Sequence, residues 1–149
     1  MNDAEYEEYE EMCKKIREDN EGYLDIFERD LTEAGLTDKT INSHLGNADF
    51  YINTFLLREA PVPMKEGDMY IDEFLGFFFI RKCMWSTPGT IKTTAASLKK
   101  FYKCMLENGK ITVADYDTLC EIIKENMGEW QEDCRKYNDP HEENPFAFF

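Results

Sequence analysis

The spacing of apolar residues constrains this chain most strongly, because apolar side chains recur every three or four residues along nearly all of it. That period places them on one face of an α-helix, whereas a half-buried strand would need alternation at every second residue. Near the C-terminus the spacings alternate between four and three, as in a helix that packs nearly parallel or antiparallel to a partner. We call this C-terminal pattern the 116–137 stripe; it consists of Tyr116, Cys120, Ile123, Met127, Trp130, Cys134 and Tyr137. From the helical spacing along the chain we predict an all-α fold of five or six helices.

Helix boundaries follow from capping residues and helix breakers. Asn20 and Gly22 interrupt the first apolar stripe and are expected to break or bend the helix. We predict a break, with an acidic N-terminal helix before it and a second helix over about residues 21–34. Residues 61–69 have the composition of a loop, and the following helix over about residues 70–84 is apolar on nearly all sides, as a central helix would be. Residues suited to cap helix N-termini are Thr37, Thr87 and Thr112, and residues suited to end helices are Gly35, Asn108 and Gly109.

The length of 149 residues suits one domain with its own core. We assign residues 1–139 to it, as an extra acidic helix (1–20), a bundle (21–112) and a long C-terminal helix (113–139), followed by a tail at 140–149. The longest apolar run, Phe74–Ile80, has seven residues, whereas a membrane span needs ~20, so we expect no membrane association. The acidic N-terminus has no apolar signal core, which predicts a cytoplasmic protein.

The residue types that support catalysis or metal binding are sparse and scattered. The five cysteines (13, 83, 104, 120 and 134) include no CxxC pair, so we expect reduced, packed thiols rather than a zinc site. The only histidines are His44, beside the inner face of its helix, and His141 in the tail. Neither pairs with an evident nucleophile, and no glycine-rich phosphate loop occurs. We expect no enzymatic activity, no cofactor, no metal and no small-molecule substrate.

The positive charge is concentrated in one segment of an otherwise acidic chain. The formal net charge is -14, yet residues 81–110 hold seven basic residues against Glu107, a net charge of +6. In the helix predicted after Thr87, the inner stripe comprises Ile91, Ala95, Leu98, Phe101 or Tyr102, and Met105, while Lys92, Lys99 and Lys103 share an outer face. Two hypotheses compete: the lysines face nucleic acid, or they form a solvated face that balances acid elsewhere.

Five stretches of the chain form an ordered series of motifs. They are LTDKTI (36–41) followed by HLGNADFYINTFL, then YIDEFL (70–75), STPGTI (86–91), ASLKKFY (96–102) and ENGKI (107–111). In this order they resemble the core-binding domain of tyrosine recombinases, the phage-integrase family. The resemblance covers about residues 23–112, and its parts largely encode amphipathic helices, so the ordered combination is what carries it.

This resemblance implies a compact, SAM-like orthogonal bundle that arches over one side of duplex DNA. Only 38 residues follow Ile111, which leaves no room in this chain for the family's catalytic domain, and Lys99 stands where the family usually has arginine. Family positions that meet DNA correspond here to Lys39, Thr40, Asn42, Thr87, Thr90, Lys92, Thr93 and Lys99, to which the outer face adds Lys103.

A protein–protein interaction module is the alternative to a DNA-binding module. The acidic surface could bind a basic partner, or the 116–137 stripe could bind a partner or a second copy through Ile123, Met127 and Trp130. The stripe could equally pack inside its own domain, against residues 6–34.

Overall fold

The computed structural model describes residues 1–140, and these form five continuous helical stretches with no strand among them. The all-α prediction is therefore confirmed for this part of the chain, whereas nearly all of the predicted tail lies outside the described residues. No helix within residues 1–140 is both long enough and apolar enough to cross a membrane. The elements are α1 (Asp3–Glu33), α2 (Asp38–Asp49), a π-helix (Phe50–Phe55), a 3-10 helix (Met64–Tyr70), α3 (Ile71–Glu73), a second π-helix (Phe74–Phe78), α4 (Phe79–Lys82), α5 (Pro88–Glu107) and α6 (Val113–Asn138).

The predicted caps are confirmed. The side chains of Thr37, Thr87 and Thr112 each accept a hydrogen bond from the backbone N–H three residues later. These bonds satisfy amide groups that have no partner inside the helix. Gly35 and Gly109 follow α1 and α5 with φ of 80° and 72°, a left-handed conformation that glycine adopts without the usual steric cost.

The predicted helix break at Asn20 and Gly22 is wrong, because α1 continues through both residues. Asn20 is fully buried, and its Nδ2 donates to the Ile52 carbonyl at 3.2 Å and to Asn53 Oδ1 at 2.8 Å. These tertiary bonds outweigh the weak helix preference of one asparagine and one glycine. The acidic N-terminal segment is thus the first half of α1, and the Tyr9 hydroxyl joins it to the Leu57 carbonyl.

The predicted loop at residues 61–69 is also wrong in part, because a 3-10 helix begins at Met64. Met64 is buried, and its carbonyl accepts the Tyr102 hydroxyl at 2.8 Å. The Gly67 carbonyl accepts the Tyr51 hydroxyl, and a Cβ at Gly67 would clash with the Tyr102 hydroxyl. Two tyrosines buried in the core therefore hold a polar segment in a helical turn.

Helix α5 lies at the centre of the packing, against α1, α2 and α6. Its predicted inner stripe is confirmed, and both Phe101 and Tyr102 belong to it. Helix α6 runs antiparallel to α5: Gln131 Nε2 donates to the Pro88 carbonyl at 3.0 Å, while the Lys103 ammonium lies over the Tyr116 ring near the opposite ends.

The 116–137 stripe packs inside the molecule, but against a different surface from residues 6–34. Helix α6 contacts α5 and the helical segments between Met64 and Lys82. Trp130 is only 2% exposed, and its Nε1 donates to Asp72 Oδ1 at 2.7 Å. A Cβ at Gly76 would lie 2.8 Å from the Trp130 ring, so glycine is needed for this packing. Ile123 and Met127 are half-buried against the same core.

Candidate nucleic-acid interface

Four lysines are exposed along the outer side of α5, and we call them the α5 lysine face: Lys92, Lys99, Lys100 and Lys103. None of the four forms an ion pair with another residue in the described part of the chain. Their ammonium groups are therefore available to an anionic ligand. Lys100 was not among the residues predicted from the sequence to meet DNA, although it is exposed like the other three.

One edge of this face adjoins acid from α6. Lys103 Nζ lies 5.2 Å from the centre of the Tyr116 ring, a distance at which the cation is attracted to the ring face. Lys99 lines a shallow groove together with Asp117 and Glu121 of α6. These carboxylates lower the positive potential along the α6 edge. Lys124 of α6 lines the same groove, so acidic and basic side chains are mixed at this edge.

The opposite edge of the face adjoins α2 through His44. Asn47 Nδ2 donates to the Ser97 hydroxyl at 2.9 Å, and that hydroxyl lies 2.8 Å from His44 Nδ1. Because Ser97 accepts from Asn47, its own proton is free to be donated to a neutral His44 ring. Burial, and then the charge of Lys100, lowers the pKa of His44. His44 is thus a half-buried residue that joins α2 to α5.

The threonines that the family resemblance assigns to DNA contact form hydrogen bonds within the protein. Thr87 and Thr90 exchange hydrogen bonds between side chain and backbone at the start of α5. Thr93 Oγ1 donates to the Thr90 carbonyl at 3.2 Å. Thr40 Oγ1 accepts the Thr37 hydroxyl at 3.0 Å in the first turn of α2. Thr40, Thr87 and Thr90 take part in helix caps, and Thr93 bonds to the backbone within α5, which leaves the lysines as the groups with unused binding capacity.

The remaining selected residues, Lys39 and Asn42, are exposed on the first turns of α2. Lys39 forms no ion pair with another described residue. Helix α2 packs against α5. Sequence reasoning placed these residues correctly at a helix start because the Thr37 cap fixes their position.

Sequence reasoning missed an exposed aromatic surface that precedes α5. Trp85 is 57% exposed, and Met84 beside it is fully exposed. The signal in the sequence was a Met-Trp pair outside any apolar stripe, where the helix predicted over about residues 70–84 ends and before the cap at Thr87. This surface lies next to the N-terminus of α5 but carries no lysine of the α5 lysine face.

The cysteines meet the expectation of reduced, packed thiols. All five are free, and only Cys120 is partly exposed. Burial and a hydrogen bond to Asp30 raise the pKa of Cys104 to about 12, so it remains a neutral thiol. No group of three or more His, Cys, Asp or Glu side chains in residues 1–140 is arranged to hold a metal ion.

Comparisons of this chain with protein-family models, with curated proteins and with solved structures give no match.

Proposed function

We propose that this protein is a non-catalytic DNA-binding module, similar to a stand-alone core-binding domain of the tyrosine recombinases with a SAM-like, orthogonal arrangement of its helices. It binds the duplex backbone through the α5 lysine face, with Lys39 of α2 as an additional contact, and it acts as an accessory protein in recombination of a mobile element. The observation that carries this proposal is the exposure of four lysines on one helix without ion pairs to other described residues.

The chemistry of the proposed contact is neutralisation of phosphates. Each lysine that meets a phosphate releases condensed counterions, so affinity falls as salt rises. The acidic remainder of the surface repels DNA, but at physiological salt this repulsion is screened beyond about 8 Å. Binding is therefore weak, local and independent of base sequence, because lysine–phosphate contacts position a duplex without reading its bases.

The test is the affinity for a fluorescently labelled duplex at low salt, measured by anisotropy. We expect binding by the natural chain and its loss in the variant Lys92→Glu, Lys99→Glu and Lys103→Glu. The matched control carries the same charge change at three other exposed lysines, as Lys14→Glu, Lys15→Glu and Lys65→Glu. Absence of binding at low salt, or equal losses in both variants, would overturn the proposal.

An interaction module for a basic protein is the second candidate. It is favoured by the acid on α1, where twelve carboxylate side chains are exposed. A lysine-rich peptide in the same anisotropy assay distinguishes the two. Binding of the peptide but not of the duplex, unaffected by the α5 substitutions, would support this candidate.

A further inference from the structure

A groove on the surface has no evident role in the proposed DNA contact. It lies between residues 60–70 and the first turns of α6, and no lysine of the α5 lysine face lines it. Its volume of about 740 Å³ is within the range of ligand-binding clefts. Asp68 lines this groove although the residue is only 5% exposed. We call it the Asp68 groove; a buried carboxylate is uncommon, because removing a charge from water costs free energy unless a partner compensates it.

The Asp68 carboxylate has no side-chain partner within residues 1–140. No side chain in this part of the chain donates a hydrogen bond to it or forms an ion pair with it. The donors that face it are the backbone N–H groups of Asp68 and Met69. The pKa of Asp68 is nevertheless raised, first by burial and then by the nearby charge of Asp115. The carboxylate is therefore available to a cation that the described part of the chain does not supply.

The position of Asp68 is fixed from the core. The hydroxyl of Tyr51 donates to the carbonyl of Gly67, and the hydroxyl of Tyr102 donates to the carbonyl of Met64 at 2.8 Å. Both tyrosines are fully buried, and both bonds hold the 3-10 helix that carries Asp68. A group that is held in place before binding loses little conformational entropy when a ligand binds. The groove therefore contains a preorganised anionic group rather than a mobile surface carboxylate.

The charge around Asp68 favours a cationic ligand. The charged side chains that line the groove are three carboxylates, from Glu66, Asp68 and Asp115, and the single ammonium of Lys65. No three His, Cys, Asp or Glu side chains within residues 1–140 are arranged to hold a metal ion. A guanidinium is a planar cation that bonds to a carboxylate through two parallel N–H groups, and it is more weakly hydrated than an ammonium. It is therefore well suited to a carboxylate that is already largely removed from water.

Apolar side chains also line the groove. They include Pro61, Val62 and Met69, and Met69 is 68% exposed. The Tyr70 ring, which is 36% exposed, lines the same groove. The methylene groups of an arginine cover apolar surface while its charged head stays with polar partners, and a guanidinium is attracted to the face of an aromatic ring. An arginine side chain thus matches the apolar and the anionic parts of the lining together.

We propose that the Asp68 groove binds an arginine side chain of a partner protein, with the guanidinium against Asp68 and the methylene groups on Pro61, Val62 and Met69. This inference goes beyond the proposed DNA binding and does not depend on it, because no residue of that contact lines the groove. It also differs from recognition of a basic protein by the exposed acid on α1, because it relies on one buried carboxylate. The occupant is identified by its charge complementarity with the lining.

The test is an NMR titration of the isotope-labelled, full-length chain with the peptide acetyl-Ala-Arg-Ala-amide. We expect the backbone amide shifts to concentrate at residues 65–70 and 113–118, which surround the groove. A peptide with citrulline in place of arginine has a similar shape but no charge, and it should leave these signals unchanged. Asp68→Asn should weaken binding of the arginine peptide about tenfold or more. The matched control Asp25→Asn removes an exposed carboxylate of α1 and should leave the affinity unchanged.

Urea unfolding without the peptide separates a binding role of Asp68 from a structural one. Asp68→Asn should raise the unfolding midpoint, because it removes a buried charge that has no side-chain partner. A lowered midpoint would show that the carboxylate stabilises the fold, and it would overturn the proposal. So would the absence of shifts at the groove, equal shifts with both peptides, or equal effects of Asp68→Asn and Asp25→Asn on binding. A dimer seen by light scattering and lost in Asp68→Asn would also overturn it, because a second copy would then be the occupant.

Discussion

His44 illustrates how single side chains join α2 to α5. Its Nδ1 lies 2.8 Å from the Ser97 hydroxyl, and that hydroxyl also accepts from Asn47. Burial disfavours the charged ring, and the nearby Lys100 ammonium adds a smaller repulsion, so the pKa of His44 is lowered. The structure therefore favours the neutral ring, and the pKa of His44 is sensitive to the charge at the α2 edge of the lysine face.

An NMR titration of the His44 ring protons should give a pKa below the ordinary value of about 6.5. Lys100→Gln should raise that pKa, because it removes the smaller of the two causes, while Lys65→Gln serves as the control. A His141→Gln variant distinguishes the two histidine signals. A pKa at or above the ordinary value in the natural chain would contradict the geometry of this site.

The lowered pKa of His44 has a defined effect on stability. Well above pH 6.5 the ring is neutral in the folded and the unfolded state, so it contributes no pH dependence. Below that value the unfolded state binds the proton more readily, and the contribution of His44 to the free energy of unfolding declines as pH falls through the interval down to the folded-state pKa.

Among the helices, α1 depends on tertiary bonds rather than on local preference. Asn20 bonds to the Ile52 carbonyl and to Asn53, and this holds α1 against the π-helix through the position where a break was predicted. Gly22 is therefore an interior helix residue on the exposed side, and a Cβ added to it would meet only open space.

Gly22→Ala should stabilise the protein by about 0.5–1 kcal/mol, because alanine loses less conformational entropy than glycine in a helix interior. Gly35→Ala is the matched control: it too has open space, but its φ of 80° should make the same substitution cost about 1–2 kcal/mol. Urea unfolding measures both as shifts of the midpoint. Destabilisation by Gly22→Ala would indicate that α1 is broken there after all.

The elements that sequence patterns predicted well are those governed by local interactions. The caps at Thr37, Thr87 and Thr112 and the ends at Gly35 and Gly109 depend on neighbouring backbone groups, so the sequence nearby contains the signal. The continuity of α1 and the 3-10 helix at Met64–Tyr70 depend instead on partners from distant segments. Local propensity cannot contain that information.

In the candidate site, too, local spacing predicts some features, while others depend on contacts between distant segments. Helical spacing correctly places Lys92, Lys99 and Lys103 on the outer side of α5. It does not reveal that Asp117 and Glu121 of α6 line the groove beside Lys99, since that requires the antiparallel pairing of two helices. The spacing of the 116–137 stripe indicates a packed helix, but not that its partners are α5 and the segment between Met64 and Lys82.

Charge is segregated across the molecule as a whole. The formal net charge is -14, while the α5 lysine face holds four cations without ion pairs to other described residues. If the chain binds DNA as proposed, the acid on α1 and α6 limits the affinity and favours one orientation of the duplex, with the lysine face towards it. We therefore predict a contact with few phosphates and a correspondingly modest dependence on salt.

The salt dependence of duplex binding is the decisive measurement for this contact. If the four lysines of the α5 lysine face each neutralise one phosphate, the slope of log K against log salt concentration should be about -3 to -4, and each single Lys→Gln substitution on the face should reduce its magnitude by about 1. Lys65→Gln should leave the slope unchanged. A slope near zero, or one that responds equally to substitutions on and off the face, would contradict the proposed contact.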